Sequence, residues 1–171
     1  MSVFRKYEHG FFTATILDWK HLLQPDRYKD IILSSLNFLS ASGRVQVNAF
    51  VIMINHLHLI WHINHPYLLS DVQRDFLKYT AQQIKFDLRE NHPDILPQFK
   101  VEHKDRQYQF WQRNPLSIPL FSEAVVRQKL KYIHDNPVRA GLVTEAADYF
   151  YSSARFYEDG ENDFGFLKSI W

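Results

Sequence analysis

The sequence predicts an α+β fold in which helices cover an antiparallel sheet. Three observations point that way. Short runs rich in aromatic and β-branched residues alternate with longer stretches of helical periodicity. The 171 residues are 46% hydrophobic, enough for one sizeable core. With 16% aromatic residues and few glycines and prolines, the composition argues against a long disordered segment. No linker, repeat or low-complexity stretch divides the chain. It reads as one domain over 1–171, with a core at about 10–143 and a packing tail over 144–171.

The elements follow in order. "GFFTATILDW" (10–19) reads as a strand. "PDRYKDIILSSLNFLSAS" sets Tyr28, Ile31, Ile32, Leu36 and Leu39 at helical spacing, and Gly43 is the stop. "RVQVNAFVIMIN" and "HLHLIWHI" read as two strands turning near Asn55, since one strand of about 20 residues would far exceed the usual length. "SDVQRDFLKYTAQQIKFDLREN" is a helix capped by Ser70 or Asp71, with a stripe through Val72, Phe76, Tyr79, Ile84 and Leu88. A polar connector follows, with a short strand around "YQFW" (108–111). "SEAVVRQKLKYIHDN" is a further helix, capped by Ser122 and stopped before Pro137. Strand, helix, strand, strand, helix, strand is the ferredoxin-like βαββαβ order, and the helix carrying Tyr132 is an addition to it. That order serves many functions, so function has to come from a site.

Composition removes some classes. Without cysteine there is no disulfide and no thiolate metal site, which suits a reducing cytoplasm. The N-terminal "MSVFRKYEHG" lacks the apolar core of a secretory signal. The most apolar window, 45–63, is broken by Gln46, Asn48, Asn55, His56, His58 and His62 and makes a poor membrane span. The chain therefore reads as soluble. Its net charge is only +1, but residues 100–143 hold eight basic side chains against four acidic ones. Such a segment can contact phosphates or form a solvated face.

The candidate chemistry starts in "VIMINHLHLIWHINHP" (51–66). Side chains alternate faces along a strand that rises about 3.3 Å per residue, so His56 and His58 share a face roughly 7 Å apart. Two imidazoles at that spacing can reach one cation. Leu57, Leu59, Trp61 and Ile63 fall on the other face, available to a helix. His62 shares the histidine face but lies about 13 Å from His58 by the same rise, too far for the same site. Alone, a His-x-His pair is equally compatible with two hydrogen-bonded histidines on a half-exposed strand.

A second segment adds to it. "KLKYIHDNPVRAGLV" (129–143) puts Tyr132 and Asn136 four residues apart, on one face if the helix extends that far. The two segments together supply two imidazoles, an amide oxygen and a phenol. A neutral phenol is a poor nucleophile, and a divalent cation that neutralises charge developing on a phosphate makes its attack feasible.

"MINHLHLIW", "KYIHDNPVRAGLV" and "DYFYSSARFY" together closely resemble the REP-associated tyrosine transposases, relatives of insertion-sequence transposases within the His-hydrophobic-His single-strand nuclease superfamily. The resemblance spans residues 11–157. It implies a Mg²⁺- or Mn²⁺-dependent strand transferase acting on single-stranded or hairpin DNA. In that reaction a tyrosine attacks a phosphate, becomes linked to the 5′ side and frees a 3′-OH, and another 3′-OH reverses the step. By position, the resemblance makes His56 and His58 the metal ligands and Tyr132 the nucleophile. Asn136 falls where related enzymes often have a third ligand, glutamine. Ile54 stands where the family commonly has a proline, leaving Asn55 to form the turn. Asn136 precedes Pro137, so a helix-cap role stands beside the ligand role.

Tyr79 and Gln83 repeat the tyrosine spacing, but the helical stripe turns Tyr79 toward the core. Lys129, Lys131 and Arg139 surround Tyr132 in sequence and can bind phosphate. Arg113, near Trp111, suggests a further edge for single-stranded DNA, although core packing also suits Trp111. Two rival readings remain: a hairpin-binding protein without catalysis, and a metal-dependent nuclease using water. The relatives act as homodimers or as monomers, and the sequence does not choose.

Overall fold

The computed structural model describes residues 9–171. The stretch 1–8, most of the N-terminus read above for a signal, lies outside the described residues. Strand β1 (His9–Thr15) opens the fold, and helix α1 (Asp26–Ala41) follows. Strands β2 (Val45–Ile52) and β3 (His56–Ile63) form a hairpin, and helix α2 (Leu69–Asn91) comes next. A small hairpin, β4 (Lys100–His103) and β5 (Arg106–Tyr108), precedes strand β6 (Leu116–Pro119). Helix α3 (Glu123–Arg139) and the short α4 (Ala154–Glu158) complete the chain.

The main sheet has the order β2-β3-β1-β6, and every neighbouring pair is antiparallel. The βαββαβ order is therefore observed, with α3 added after the last strand. The last strand itself differs from the sequence reading. Residues 108–111 do not enter the main sheet as a strand: Tyr108 ends β5 in the separate hairpin, and Trp111 makes only an isolated bridge to Ile16. β6 pairs with β1 instead, and its burial pattern explains why it was missed. Leu116 and Ser117 are exposed on this edge strand, so no apolar alternation marks it.

The sheet divides the core in two. On one face Leu57, Leu59 and Trp61 pack with Val72, Phe76, Ile84 and Leu88 of α2 and with Ile32 and Leu36 of α1. On the other, Phe11, Val51 and Ile60 pack with Val126 and Ile133 of α3. Strand β2 serves both faces out of simple alternation. Val45 and Val47 join the first cluster, whereas Ala49 and Val51 join the second. A register shift between Val47 and Ala49 reverses the parity there, as a β-bulge does. The intervening Asn48 is fully buried, and its side chain donates to the Lys168 carbonyl 3.0 Å away.

Two helix ends depart from expectation. α2 begins at Leu69, and neither Ser70 nor Asp71 caps it. α3 does open on Ser122, whose Oγ accepts the Val125 N–H at 3.2 Å. It does not stop before Pro137 but continues to Arg139. The proline lies in the last turn, where its missing N–H withdraws one helical hydrogen bond and little helix follows, and the Asn136 carbonyl still accepts from the Ala140 N–H at 3.0 Å. Gly141, at φ 72°, ends the helix, just as Gly43 at φ 74° follows α1. The tail packs over β2: the Tyr157 hydroxyl donates to the Asn48 carbonyl and the Tyr149 hydroxyl to the Ile52 carbonyl, both at 2.7 Å. Among the described residues, no helix is long and apolar enough to cross a membrane.

Candidate functional site

His56 and His58 do project from one face of β3, with ring centroids 4.9 Å apart. His58 lies beneath α3, where Phe11 stacks on it at 5.3 Å. Tyr132 meets His58 edge-on, ring to ring at 5.2 Å. Strand parity and helical phase thus bring Tyr132 to a histidine pair that lies 74 residues before it in sequence.

Each imidazole is held by its Nδ1. The His56 Nδ1 lies 2.8 Å from Asn55 Oδ1. A carbonyl oxygen only accepts, so this nitrogen carries the hydrogen and Nε2 keeps its lone pair. The Asn55 amide is fixed in turn, because its Nδ2 donates to the Trp19 carbonyl at 3.2 Å. The His58 Nδ1 lies 2.7 Å from the Thr13 hydroxyl, its register partner on β1. Its Nε2 is buried without a hydrogen-bond partner among the described residues. Polar atoms are seldom left in that state, because an unmade buried hydrogen bond is costly.

Burial disfavours the charged form of both rings. Burial lowers the pKa of His56. Burial, then His56, Lys129 and Arg139, push that of His58 down to about 3. The neutral imidazole is the protonation state that metal ligation requires. Orientation of ligating histidines by a second hydrogen bond at Nδ1 is the usual arrangement in metal sites. The donor set fits a divalent cation in this respect, although it lacks carboxylates. Among the described residues, no group of three or more His, Cys, Asp or Glu side chains could hold an ion.

The helical phase of α3 sorts the remaining candidates. Lys129, Tyr132, Asn136 and Arg139 are spaced three, four and three residues apart, so they form one stripe. Lys129 Nζ lies 4.7 Å from the Phe11 ring centre and 5.7 Å from that of Tyr132. The Arg139 guanidinium lies 4.5 Å from the Tyr132 ring centre. Asn136 is buried one turn after Tyr132. Its place inside α3 removes the alternative that it caps a following helix. Lys131, about 200° around the helix from Lys129, faces elsewhere and pairs with Asp135. Arg113 is also apart. It lies 3.7 Å from Asp105 and lines a groove of about 740 Å³ with Arg74, Lys78, Lys85 and Arg106, on the α2 side of the sheet.

Several other residues resolve as well. Tyr79 does not face the core but is exposed on α2, across the sheet from the histidines. Thr80 occupies the core position, its hydroxyl accepting from Trp111 Nε1 at 3.1 Å, and Trp111 is buried as core packing requires. His134 points away from Tyr132, 2.8 Å from the Ser153 hydroxyl, and burial lowers its pKa to about 4. Sequence reasoning missed Thr13 as the partner of His58, Asn55 as the partner of His56, and Trp19 beside His56. Thr13 becomes readable once the β1–β3 register is known. Asn55 and Trp19 depend on the loop geometry around them.

No protein-family model matches the chain, and no curated protein matches it. Solved structures do. One, a REP-associated tyrosine transposase bound to a REP hairpin, aligns with TM-score 0.68 over 100% of this chain and 91% of that chain, at 20% identity. Another, assigned as a transposase from Deinococcus radiodurans R1, aligns with TM-score 0.47 over 79% of this chain and 94% of that one, at 17% identity. At 20% identity the first likeness is one of architecture, and over its whole length this chain has a fold similar to that of a REP-associated tyrosine transposase.

Proposed function

We propose that the chain cleaves and rejoins single-stranded DNA through a covalent 5′-phosphotyrosine, with Tyr132 as nucleophile. The observation that carries this reading is the meeting of the Tyr132 ring with His58, whose Nε2 is buried and has no partner among the described residues. A phenol set against a pair of neighbouring imidazoles suits attack on a phosphate better than any role in packing. The same side chain is 41% exposed, so a strand can reach it.

His56 and His58 would hold a divalent cation, Mg²⁺ or Mn²⁺, with the Asn136 amide oxygen as third protein ligand. A cation held there supplies charge neutralisation at the scissile phosphate. Because all three donors are neutral, the ion's charge is not cancelled by the protein, and phosphate oxygens become natural completing ligands. The phenol oxygen of Tyr132 forms a bond to phosphorus, and the 3′ oxygen of the upstream nucleotide leaves as a hydroxyl. An incoming 3′-OH later displaces the tyrosine and restores a phosphodiester. Lys129 and Arg139, on the Tyr132 stripe, would clamp the same phosphate. Lys131 and Arg113 would contact the backbone further out.

The fold likeness to a transposase solved with a REP hairpin supports hairpin DNA as the substrate class, and a cytoplasmic site of action follows from that substrate. The whole of 1–171 would act as one domain, whether as monomer or homodimer. The test is incubation with 5′- and 3′-labelled hairpin oligonucleotides carrying single-stranded flanks, in Mn²⁺ or Mg²⁺. The expected product is a protein–DNA adduct retaining the 3′ label, absent after chelation and absent for Tyr132→Phe but not for Tyr79→Phe. Cleavage that survives Tyr132→Phe would replace this reading by hydrolysis with water. Hairpin binding without any cleavage would leave a non-catalytic DNA-binding protein.

A further inference from the structure

Between β1 and α1 the chain makes a one-turn 3-10 helix, Leu17–Trp19. Asp18 and Trp19 lie in the left-handed region, at φ 55° and 57°. Two successive non-glycine residues in that region are unusual, and such strain persists only where the surroundings over-determine it. Here they do. The Trp19 N–H donates to the Ile16 carbonyl at 2.9 Å, and the Leu17 N–H to the Phe110 carbonyl at 2.8 Å. Lys20 Nζ donates to the Gln98 carbonyl at 2.6 Å, and the Trp19 carbonyl accepts from Asn55 Nδ2.

The result of this strain is an indole held out in solvent. Trp19 is 60% exposed, whereas Trp61 and Trp111 are 1% and 6% exposed. It is not a random surface position. The Trp19 ring meets His56 edge-on at 6.1 Å, His56 meets His58, and His58 meets Tyr132, so four rings follow one another across the site. Stability alone would favour burying so large an apolar surface. An exposed indole on a firmly held backbone, directly beside His56, instead suits a ligand with a flat aromatic face, and a nucleobase supplies one whatever its identity.

We propose that the Trp19 indole is the stacking platform for a nucleobase flanking the phosphate that Tyr132 attacks. The proposal rests on the single-stranded DNA reading above and adds to it a binding residue outside the histidine–tyrosine set. Trp19 contributes through two independent parts. Its carbonyl orients Asn55 and through it His56, while its ring faces the substrate. Removing the ring therefore leaves the backbone hydrogen bond in place.

The test is equilibrium binding of the full chain, in a Tyr132→Phe background, to a fluorescein-labelled DNA hairpin with a mixed-sequence single-stranded tail. One abasic site is walked along the tail. With Trp19 present, one abasic position near the expected scissile phosphate should weaken binding about tenfold. Trp19→Ala should weaken binding to the intact tail by about the same factor and erase the effect of that abasic position. Trp19→Phe should recover most of both. An abasic profile unchanged by Trp19→Ala would overturn the stacking role, even with adduct formation by Tyr132 intact. If the chain bound no single-stranded or hairpin DNA at all, the DNA reading and the stacking role would fall together.

Discussion

The two faces of the sheet are built to different ends. Among the described residues, the face under α1 and α2 carries twenty-six buried apolar residues, against eight on the face under α3. Buried polar groups on the larger face are mostly paired: Thr80 with Trp111, Lys29 with the Gln24 carbonyl at 2.8 Å, and the Tyr28 hydroxyl with Asp87 at 2.7 Å. Among the described residues, the Trp61 Nε1 on this face has no partner. The smaller face buries His58, His134 and Asn136 and leaves the His58 Nε2 without a partner among the described residues. Stability thus resides chiefly on one side of the sheet, and the other side can hold polar groups that a purely structural core would reject.

The strongest way to break this contrast is to empty the larger face. Phe76 is 1% exposed and packs edge-on against Phe12 at 6.3 Å and Trp61 at 6.0 Å. Phe76→Ala should destabilise the chain by about 3–5 kcal/mol, measured by urea unfolding. Ile84→Ala, on the same face, should likewise cost toward the upper end of about 2–5 kcal/mol, and Ile133→Ala, under α3, toward the lower end. Equal losses would show that the faces share the load.

The next effect has the opposite sign. His58→Leu replaces a neutral, incompletely bonded imidazole with an apolar side chain against Phe11 and Ile60. Thr13 is only half-buried, so its hydroxyl can turn to water. A gain of about 1 kcal/mol is expected, together with loss of adduct formation. A clear loss of stability would mean that the His58–Thr13 bond outweighs the unpaired nitrogen.

How far these faces were readable from sequence depends on which periodicity applies. The histidine pair, its opposition to Leu57, Leu59 and Trp61, and the stripe ending at Leu88 all follow from regular alternation, and the structure reproduces them. Irregular points were hidden. The bulge at Asn48 reverses the parity of β2, and nothing in "VQVNAFVI" marks it beyond the asparagine. Tyr79 reads as apolar enough for the stripe, but the buried face of α2 recurs every four residues through Val72, Phe76, Thr80, Ile84 and Leu88, and the hydrogen bond from Trp111 satisfies the threonine there. Pro137 signals a helix stop in sequence, whereas the structure places it in the last turn. Trp19 owes its position to strained backbone, which composition does not encode.

A smaller effect concerns the clamp between α1 and α2. Burial alone would raise the pKa of Asp87, but hydrogen bonds from Tyr28, Asn91 and Arg27 outweigh it, and the carboxyl is held below its ordinary value. The unfolded chain therefore takes up this proton first as pH falls. The clamp's contribution is whole above the ordinary carboxylate value of about 3.9 and is lost as pH drops through the lower folded value. Tyr28→Phe should cost about 1 kcal/mol at neutral pH. Its difference from the parent should shrink as Asp87 becomes protonated. A difference independent of pH down to about 3 would assign the cost to packing instead.

The smallest stability effects come from the two lysines beside Tyr132, and they sharpen the contrast most finely because only helical phase separates them. Lys131 is 76% exposed in its pair with Asp135, and exposed pairs of this spacing contribute about 0.3–0.5 kcal/mol. Lys129 has no described ion pair and sits over the Phe11 ring on the Tyr132 stripe. Alanine at either position should therefore change stability by less than about 0.5 kcal/mol. DNA binding should separate them. Lys129→Ala should lower the slope of log affinity against log salt by about one, the signature of one lost phosphate contact, and should slow adduct formation. Lys131→Ala should change the slope less, because its pairing with Asp135 and its direction on α3 both hold it off the stripe. Equal slopes for the two variants would mean that the strand crosses α3 broadly, and that the narrow row of Lys129, Tyr132, Asn136 and Arg139 does not define its path.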